Sequence, residues 1–210
     1  IVVTPENETW QDTSDILDAL DARIPAPALI PATPVQRVVS YLVELYADEF
    51  MLLPAMHYRW STPEGKRDAT DSFIAASGDR DAALELAKAM SGILPALGIG
   101  EATIPAIEAH FFDLLACLEV VFTDQPFLLG EQMSLADCAL LGPLYAHLYL
   151  DYVPGRIVRE RAPRTSHWIE RMNHPQPDDF RGFRGGDALH PGLVALLALA
   201  SATARADDTA

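Results

Sequence analysis

A serine and an aspartate three residues apart open a strongly apolar segment of the chain. Ser134 can accept the amide hydrogen of Asp137, and the Asp137 carboxylate can reach back to the amide of Ser134, which is the capping-box pattern of a helix start. The residues that follow, 135–150, contain only Asp137 and His147 as clearly polar side chains. We therefore predict a helix that is apolar on nearly every side and lies at the centre of a domain, with a kink at Pro143.

The chain changes character at a proline-rich stretch upstream of that helix. Two short runs of strand-forming residues surround a turn near the start, and a helix is predicted from about residue 12 to residue 23. Three prolines within residues 25–33, and a fourth directly after them, favour an extended connector. The sequence thus predicts a small ββα unit over 1–24, a linker over 25–33 and an all-helical domain over 34–210, so the fold class is mainly all-α.

The first helix of the helical domain has a wide apolar surface. It is predicted to begin at Pro34 after an N-cap at Thr33, and to run to about residue 60 with a bend at Pro54. Such a surface suits two packing partners, the helical core and either a neighbouring domain or a second subunit, and a homodimer is expected. The polar arc of this helix holds Gln36, Arg37, Ser40, Glu44 and Asp48, while the apolar remainder holds Val38, Val39, Leu42, Leu45, Tyr46, Phe50 and Met56.

The two ends of the helical domain carry further expectations. A last short helix is predicted over 193–204, and a frayed tail over 205–210.

Near the start, Glu49 falls by helical phase among the apolar residues of the first helix. A carboxylate there needs a partner, either in an ion pair within the chain or across a dimer seam, and a functional role is a further alternative.

Charge and cysteine content narrow the possible classes of function. The 210 residues include 30 acidic and 15 basic side chains, for a formal net charge of −15, so neither nucleic acid nor an anionic membrane surface is an expected partner. Cys117 and Cys138 lie within apolar helical patterns and indicate reduced packing residues, and the histidine spacing predicts no metal site. Without a membrane-spanning window or a visible signal peptide, a cytoplasmic location is predicted.

Three short motifs near the predicted central helix resemble a known family. They are Phe127-Leu-Leu-Gly130, Ser134-Leu-Ala-Asp137 and Gly142-Pro-Leu-Tyr-Ala-His147, and their order resembles the sixth-helix region of cytosolic glutathione transferases. Stretches at 45–49, 54–60 and 163–175 are similar to bacterial members. The resemblance implies a C-terminal helical bundle preceded by the last part of a thioredoxin-like domain, with about fifty residues of that domain lying before Ile1.

The resemblance also implies a glutathione site at the start of the first helix. In the family an acid or amide followed by Ser or Thr holds the γ-glutamyl end of glutathione, and Asp12 and Thr13 occupy those places. The Thr13 hydroxyl and the helix amides suit a carboxylate, and Asp12 suits an ammonium group, although the pair is alternatively only an N-cap. The family's thiol-activating residue comes from its first strand, so the catalytic residue is unknown here and this chain alone is expected to be inactive.

Further residues are assigned to the second-substrate pocket or to structure. The family builds its apolar pocket partly from the helix that begins at Pro34, and core packing is the alternative for each candidate. Ser134 and Asp137 are interpreted as folding determinants without a part in chemistry. The pocket candidates are Tyr46, Phe50, His57, Tyr58 and Trp60.

Two functions fit these patterns. The first is a glutathione transferase that, as the intact protein, conjugates glutathione to small apolar electrophiles. The second is a non-catalytic protein of the same fold that serves as a ligand-binding or protein-interaction module through its apolar helix surface. Retention on immobilised glutathione, together with turnover of an aryl halide, separates the two.

Overall fold

The computed structural model describes residues 1–207, and the side chains of residues 1–202, as a mainly helical structure with two small antiparallel sheets. The predicted fold class, an all-α domain of glutathione transferase C-terminal type after a short strand-bearing start, is confirmed. A π-helical segment, Leu144–Tyr149, continues one helix directly. In chain order the main elements are β1 Val2–Val3, β2 Thr9–Trp10, α1 Thr13–Arg23, α2 Pro34–Phe50, α3 Leu52–Trp60, α4 Pro63–Ser77, α5 Arg80–Ile93, α6 Ile104–Val121, β3 Gly130–Gln132, α7 Leu135–Pro143, α8 Tyr152–Arg161, α9 Pro163–Asn173, β4 Phe180–Phe183 and α10 Pro191–Asp207.

The start of the chain forms the hairpin and helix that the sequence predicts. β1 pairs antiparallel with β2, with Val2 opposite Trp10 and Val3 opposite Thr9. α1 follows, and none of its 11 described residues is buried. The unit is therefore held to the helical domain without a core of its own, and its place in a thioredoxin-like domain stays a prediction.

The linker attaches to the helical domain through its backbone. The Leu29 amide donates to Asp21 Oδ1 at 2.6 Å. The Leu29 carbonyl accepts from the Leu135 amide at 2.9 Å, at the start of α7. The side chain of Gln132 in β3 donates to the Ala28 carbonyl. These bonds fix the extended segment against the helical domain, while the proposed domain boundaries stay predictions.

The long helix predicted from Pro34 to about residue 60 is interrupted at a different residue. α2 ends at Phe50 and α3 begins at Leu52, so the break lies at Met51 and the prediction of a bend at Pro54 is wrong. Pro54 is the third residue of α3. A proline is tolerated there because the first amides of a helix have no intrahelical acceptor.

The amino end of α2 is capped from a distant part of the chain. Thr33 precedes the helix but, in the described structure, makes no side-chain capping bond to its amides. Instead the Asp187 carboxylate accepts from the Val35 and Gln36 amides, each at 2.9 Å. The predicted local cap is therefore wrong, because a loop that follows β4 supplies the acceptor.

The burial of α2 differs from the simple prediction at several residues of both faces. The polar residues Gln36, Ser40 and Glu44 are buried, whereas Leu42 and Leu45 are exposed. The Gln36 amide group donates to the Arg184 and Ala188 carbonyls at 2.8 and 3.0 Å, and Glu44 is hydrogen-bonded to Ser14 of α1. Gln36, Ser40 and Glu44 of the polar arc are thus buried, Gln36 against the loop after β4 and Glu44 against the amino-terminal unit, while Arg37 and Asp48 stay exposed.

α7 lies at the centre of the main hydrophobic core. Leu135, Ala136 and Leu140 are buried there with side chains from α2, α6 and α9. The prediction of burial on nearly every side fails in the continuing π-helical segment and just beyond it, where Ala146 and Leu150 are exposed. The distortion begins directly after Pro143, which supplies no amide hydrogen to the helix.

A second, smaller core joins α3, α4, α5 and the start of α6, and includes the stacked pair Trp60 and Phe73. At the other end of the molecule α10 packs closely on α6. A Cβ atom on Gly192 would lie 2.9 Å from the Cys117 carbonyl oxygen, so only glycine permits that approach.

α10 begins earlier and ends later than the predicted helix over 193–204. Residues 205–207 of the predicted tail are helical, and residues 208–210 lie outside the described residues. Within the described part of the chain, every helix is too short or too polar to traverse a lipid bilayer.

Candidate functional site

Asp12 and Thr13 stand at the amino end of α1, where the sequence predicts a glutathione site. Asp12 has φ 75° and ψ 133°, and its Oδ1 accepts from the Ser14 amide at 3.0 Å. Thr13 is the first residue of the helix, and both side chains are exposed. Asp12 is thus an N-cap, and its part in glutathione binding stays a prediction.

Carboxylates of α2 create a negative region beside Asp12. Burial raises the pKa of Glu44, a hydrogen bond from Ser14 opposes the rise, and the charges of Asp48, Asp18 and Asp12 add to it. Burial likewise raises the pKa of Asp48, with further contributions from Asp12 and Glu49. The mutual repulsion means that a cation placed among these groups would be stabilised.

Tyr46 and Phe50, two of the pocket candidates, lie together near α6. Their ring centroids are 5.9 Å apart, and the Tyr46 hydroxyl lies 2.7 Å from His110 Nε2. Burial raises the pKa of Tyr46, with a smaller contribution from Cys117, and burial lowers the pKa of His110. Both groups are therefore neutral near pH 7, and the imidazole tautomer decides which of the two donates the hydrogen bond. Tyr46 is buried and Phe50 is partly exposed, so only the Phe50 ring of this pair reaches the surface.

The other three pocket candidates are buried in α3. His57 Nε2 lies 3.2 Å from Glu108 Oε1, and the Tyr58 ring meets the edge of Phe111 at 5.6 Å. Trp60 belongs to the second core, where its ring stacks on Phe73. The structure therefore brings Tyr46 and Phe50 together and places Trp60 in a separate cluster.

The capping box at the start of α7 is the centre of a buried polar network. Asp137 accepts from the Ser134 amide at 3.0 Å and from the Ser134 hydroxyl at 2.5 Å. It also accepts from the Leu128 amide at 2.9 Å and from Trp168 Nε1 at 3.0 Å. One carboxylate thus joins the loop before α7, α7 itself and α9. The sequence pattern predicts the Ser134 contacts, whereas the Leu128 and Trp168 donors are visible only in the folded chain.

Burial and hydrogen bonding act against each other on this carboxylate. Complete burial raises the pKa of Asp137 to about 6, while the bonds from Ser134, Leu128 and Trp168 oppose the rise. Nearby, burial raises the pKa of Cys138 to about 12, and it also raises the pKa of Cys117. Neither cysteine is therefore a reactive thiolate near neutral pH, which agrees with the interpretation as packing residues.

Two further polar contacts that the sequence analysis missed complete helix ends. Glu119 of α6 accepts from the Thr165 amide at 2.7 Å and from the Thr165 hydroxyl at 2.9 Å, and so caps α9. Arg59 of α3 binds Asp151 through two bonds of 2.7 and 2.6 Å and donates to the Ala146 carbonyl at 3.1 Å. α9 begins at a proline without a local N-cap side chain, which is the only sequence signal for a distant cap.

Among the described side chains, those of residues 1–202, no group of three or more His, Cys, Asp or Glu residues could hold a metal ion.

Comparison with known proteins agrees with this arrangement. Residues 101–171 match the family model described as Glutathione S-transferase, C-terminal domain. The matched segment runs from the turn before α6 to near the end of α9, and it includes the Ser134–Asp137 capping box. No curated protein and no solved structure matches the chain. The fold and the match together support a protein of the glutathione transferase fold, with similarity over about a third of its length.

Proposed function

We propose that the protein is a glutathione transferase that, in its intact form, conjugates glutathione to small apolar electrophiles. The observation that carries the proposal is the match of residues 101–171 to the glutathione transferase C-terminal domain. That segment contains α6, α7 and α9, which supply much of the main core. Because a fold alone does not specify an activity, the proposal depends on a glutathione site that can be tested directly.

The proposed glutathione site is the amino end of α1. Glutathione carries an ammonium group and a carboxylate on its γ-glutamyl end. The ammonium group would lie at Asp12, where Glu44 and Asp48 add negative potential. The carboxylate would lie at the Thr13 hydroxyl and the helix amides, where the helix dipole favours an anion.

The electrophile pocket is proposed at Tyr46, Phe50, His57, Tyr58 and Trp60, with Phe50, which is partly exposed, as its accessible edge. Thiol chemistry at neutral pH needs a group that stabilises the thiolate, because a free thiol has a pKa near 8.5. We assign that role to no residue of this sequence. The proposal further includes a homodimer, a cytoplasmic location and no metal cofactor.

The test is retention of the intact protein on immobilised glutathione, elution by free glutathione, and turnover of an aryl halide such as 1-chloro-2,4-dinitrobenzene. Retention with turnover supports a transferase. Retention without turnover, together with binding of apolar dyes, favours the non-catalytic ligand-binding alternative. A failure to bind glutathione overturns both the site and the activity.

Asp12→Asn tests the site without removing the helix cap, because asparagine is as good an N-cap as aspartate. We expect the dissociation constant for glutathione to rise about tenfold, since one charge-assisted bond to the ammonium group is lost. Isothermal titration calorimetry measures it. Asp15→Asn is the matched control, since Asp15 is exposed in the same first turn. Equal effects of the two substitutions would contradict a specific role for Asp12.

A further inference from the structure

A groove between α4 and α5 carries positive charge on an otherwise acidic chain. Its volume is about 300 Å³, and its lining includes Lys66 and Arg67 of α4 and Arg80 at the start of α5. We call this surface the α4–α5 groove. The chain as a whole has a formal net charge of −15. None of the residues proposed for the glutathione or electrophile site lines the groove, so it is a separate feature of the molecule.

The three cations of the groove have no partner within the described part of the chain. Lys66, Arg67 and Arg80 form no side-chain ion pair or hydrogen bond with residues 1–202, whereas every other lysine and arginine side chain there contacts a carboxylate, an amide oxygen, a hydroxyl or an aromatic ring. Because the chain has 30 acidic and 15 basic side chains, a shortage of carboxylates does not explain this arrangement. The mutual repulsion of the cations costs free energy that a bound anion would relieve.

The turn between the two helices fixes the walls of the groove. Only Gly78 and Asp79 join α4 to α5. The Gly78 amide donates to the Ile74 carbonyl at 2.8 Å, and the residue has the left-handed conformation that glycine permits. Asp79 accepts from the Ala82 amide at 3.0 Å and so caps α5. Both helix ends are therefore capped within the turn, and the cations are held in one groove without a ligand.

The charge of the groove suits a dianion. Asp71 is the acidic residue in the lining, so the groove has an excess of two positive charges. Arg67 and Asp71 are four residues apart on α4, but base before acid is the less favourable order for such a pair, and they form no ion pair. A phosphate monoester carries about −1.5 to −2 charges near pH 7, and a guanidinium group can bind two phosphate oxygens at once. A carboxylate would neutralise only half of the excess.

The rest of the lining favours a small organic ligand. It is apolar apart from Thr70, whose hydroxyl already donates to the Lys66 carbonyl at 2.6 Å. The apolar members are Pro63, Ile74 and Leu84, which suit the organic portion of a ligand. The volume is at the lower end of the range for small-molecule sites. A long polyanion such as nucleic acid is disfavoured, because the net charge of the chain repels it.

We propose that the α4–α5 groove is a binding site for a small organic phosphate monoester. Lys66, Arg67 and Arg80 bind the phosphate oxygens, and the organic group packs against the apolar lining. The site goes beyond the proposed conjugation reaction and does not rest on it, because it shares no residue with either proposed substrate site.

Titration of the full chain with phenyl phosphate, followed by NMR of the backbone amides, measures the dissociation constant and locates the site. We expect the chemical-shift changes to be centred on residues 63–84. Phenyl phosphate should bind at least about tenfold more tightly than benzoate, which carries a single charge, and than inorganic phosphate, which lacks the ring. Phenol, which has the ring without the charge, should leave these amides unchanged.

Removal of one cation tests the phosphate contacts. Arg80→Gln should raise the dissociation constant for phenyl phosphate about tenfold, because a charge-assisted hydrogen bond is lost. Arg156→Gln is the matched control, since Arg156 is an exposed arginine of α8 outside the groove. It removes the same charge and should change the constant by less than about twofold. Circular dichroism should show native helix content in both variants.

Removal of the groove carboxylate should have the opposite effect. Asp71→Asn should lower the dissociation constant for phenyl phosphate about threefold, because a charge that repels the dianion is lost. Damage to the fold would weaken binding instead, so a gain in affinity reports on the charge of the groove. Asp15→Asn, which removes the same charge from α1, should leave the constant unchanged.

Each outcome bears on one part of the proposal. The absence of shift changes in residues 63–84 at up to about 10 mM phenyl phosphate overturns the site. Equal affinity for benzoate overturns the preference for a dianion, and equal affinity for inorganic phosphate overturns the role of the apolar lining. Tighter binding of a short phosphoserine peptide overturns the small-molecule assignment in favour of a phosphorylated protein partner. Asp12→Asn should not alter phenyl phosphate binding, so this site and the glutathione site fail separately.

Discussion

At the scale of single residues, Asp137 carries the largest share of the buried polar structure. Its carboxylate is completely buried and accepts hydrogen bonds from two backbone amides, one hydroxyl and one indole. The Ser134 contacts follow from a local three-residue spacing and are predictable from the sequence. The Trp168 contact joins residues 31 positions apart, and only the packing of α9 on α7 determines it.

The raised pKa of Asp137 predicts a pH dependence of stability. Its pKa rises from an ordinary value of 3.8 to about 6 on folding, so the folded protein binds the proton more tightly than the unfolded chain. The associated stabilisation, about 3 kcal/mol, is present below pH 4 and is lost as the pH rises through 6. The free energy of unfolding of the wild type, minus that of Asp137→Asn, should fall by about this amount between pH 4 and pH 7.

Urea unfolding of both proteins at several pH values measures that difference. The Asn variant is the reference because it keeps the side-chain volume and cannot ionise. A difference that stays constant, or grows with pH, would mean that the four hydrogen bonds hold the carboxylate ionised throughout.

At the scale of elements, some helix starts in this protein are closed by local side chains and others by side chains from distant parts of the chain. α7 has the local cap that its sequence predicts, but Asp187 caps α2 and Glu119 caps α9. The break between α2 and α3 falls at Met51, where the sequence has no helix-breaking residue, and not at the nearby Pro54. Sequence patterns therefore locate these helices well and their boundaries poorly, because tertiary contacts decide which end residues are satisfied.

Removal of the Glu119 charge should destabilise the protein through α9. We expect Glu119→Gln to lower the free energy of unfolding by about 1 kcal/mol, since the first amides of α9 lose a charged acceptor. Chemical unfolding at neutral pH measures the change. Glu160→Gln serves as the control, because Glu160 is exposed and its carboxylate lies 4.0 Å from Arg156 Nε in a surface ion pair. An equal effect of the two substitutions would show that the cap contributes nothing.

At the scale of the whole molecule, the amino-terminal unit and the helical domain differ in how they are held. The helical domain has two hydrophobic cores, whereas α1 meets α2 through polar contacts such as the 3.0 Å bond from the Tyr41 hydroxyl to Asp18. The order of these parts is predictable from the proline-rich linker. The sequence does not predict that Gln36, Ser40 and Glu44 of α2 are buried. Polar residues that bond to Ser14 or to distant carbonyls have the same helical spacing as polar residues that face solvent.

This difference predicts unequal local stability. Amides of α1 should exchange with solvent deuterium at least about 100-fold faster than those of residues 111–118 in α6, since opening α1 exposes little apolar surface. Hydrogen exchange followed by mass spectrometry measures both regions in one experiment. Equal protection would show that the amino-terminal unit opens only when the core unfolds.

The cap on α2 has a consequence for how the protein is made. Asp187 follows Val35 by 152 residues, and it binds the first amides of the helix. At a synthesis rate of about 5 to 20 residues per second, those amides wait roughly 8 to 30 s for their acceptor. The nascent helix therefore leaves the ribosome with a frayed beginning, and it reaches its final form only after residue 187 has been translated.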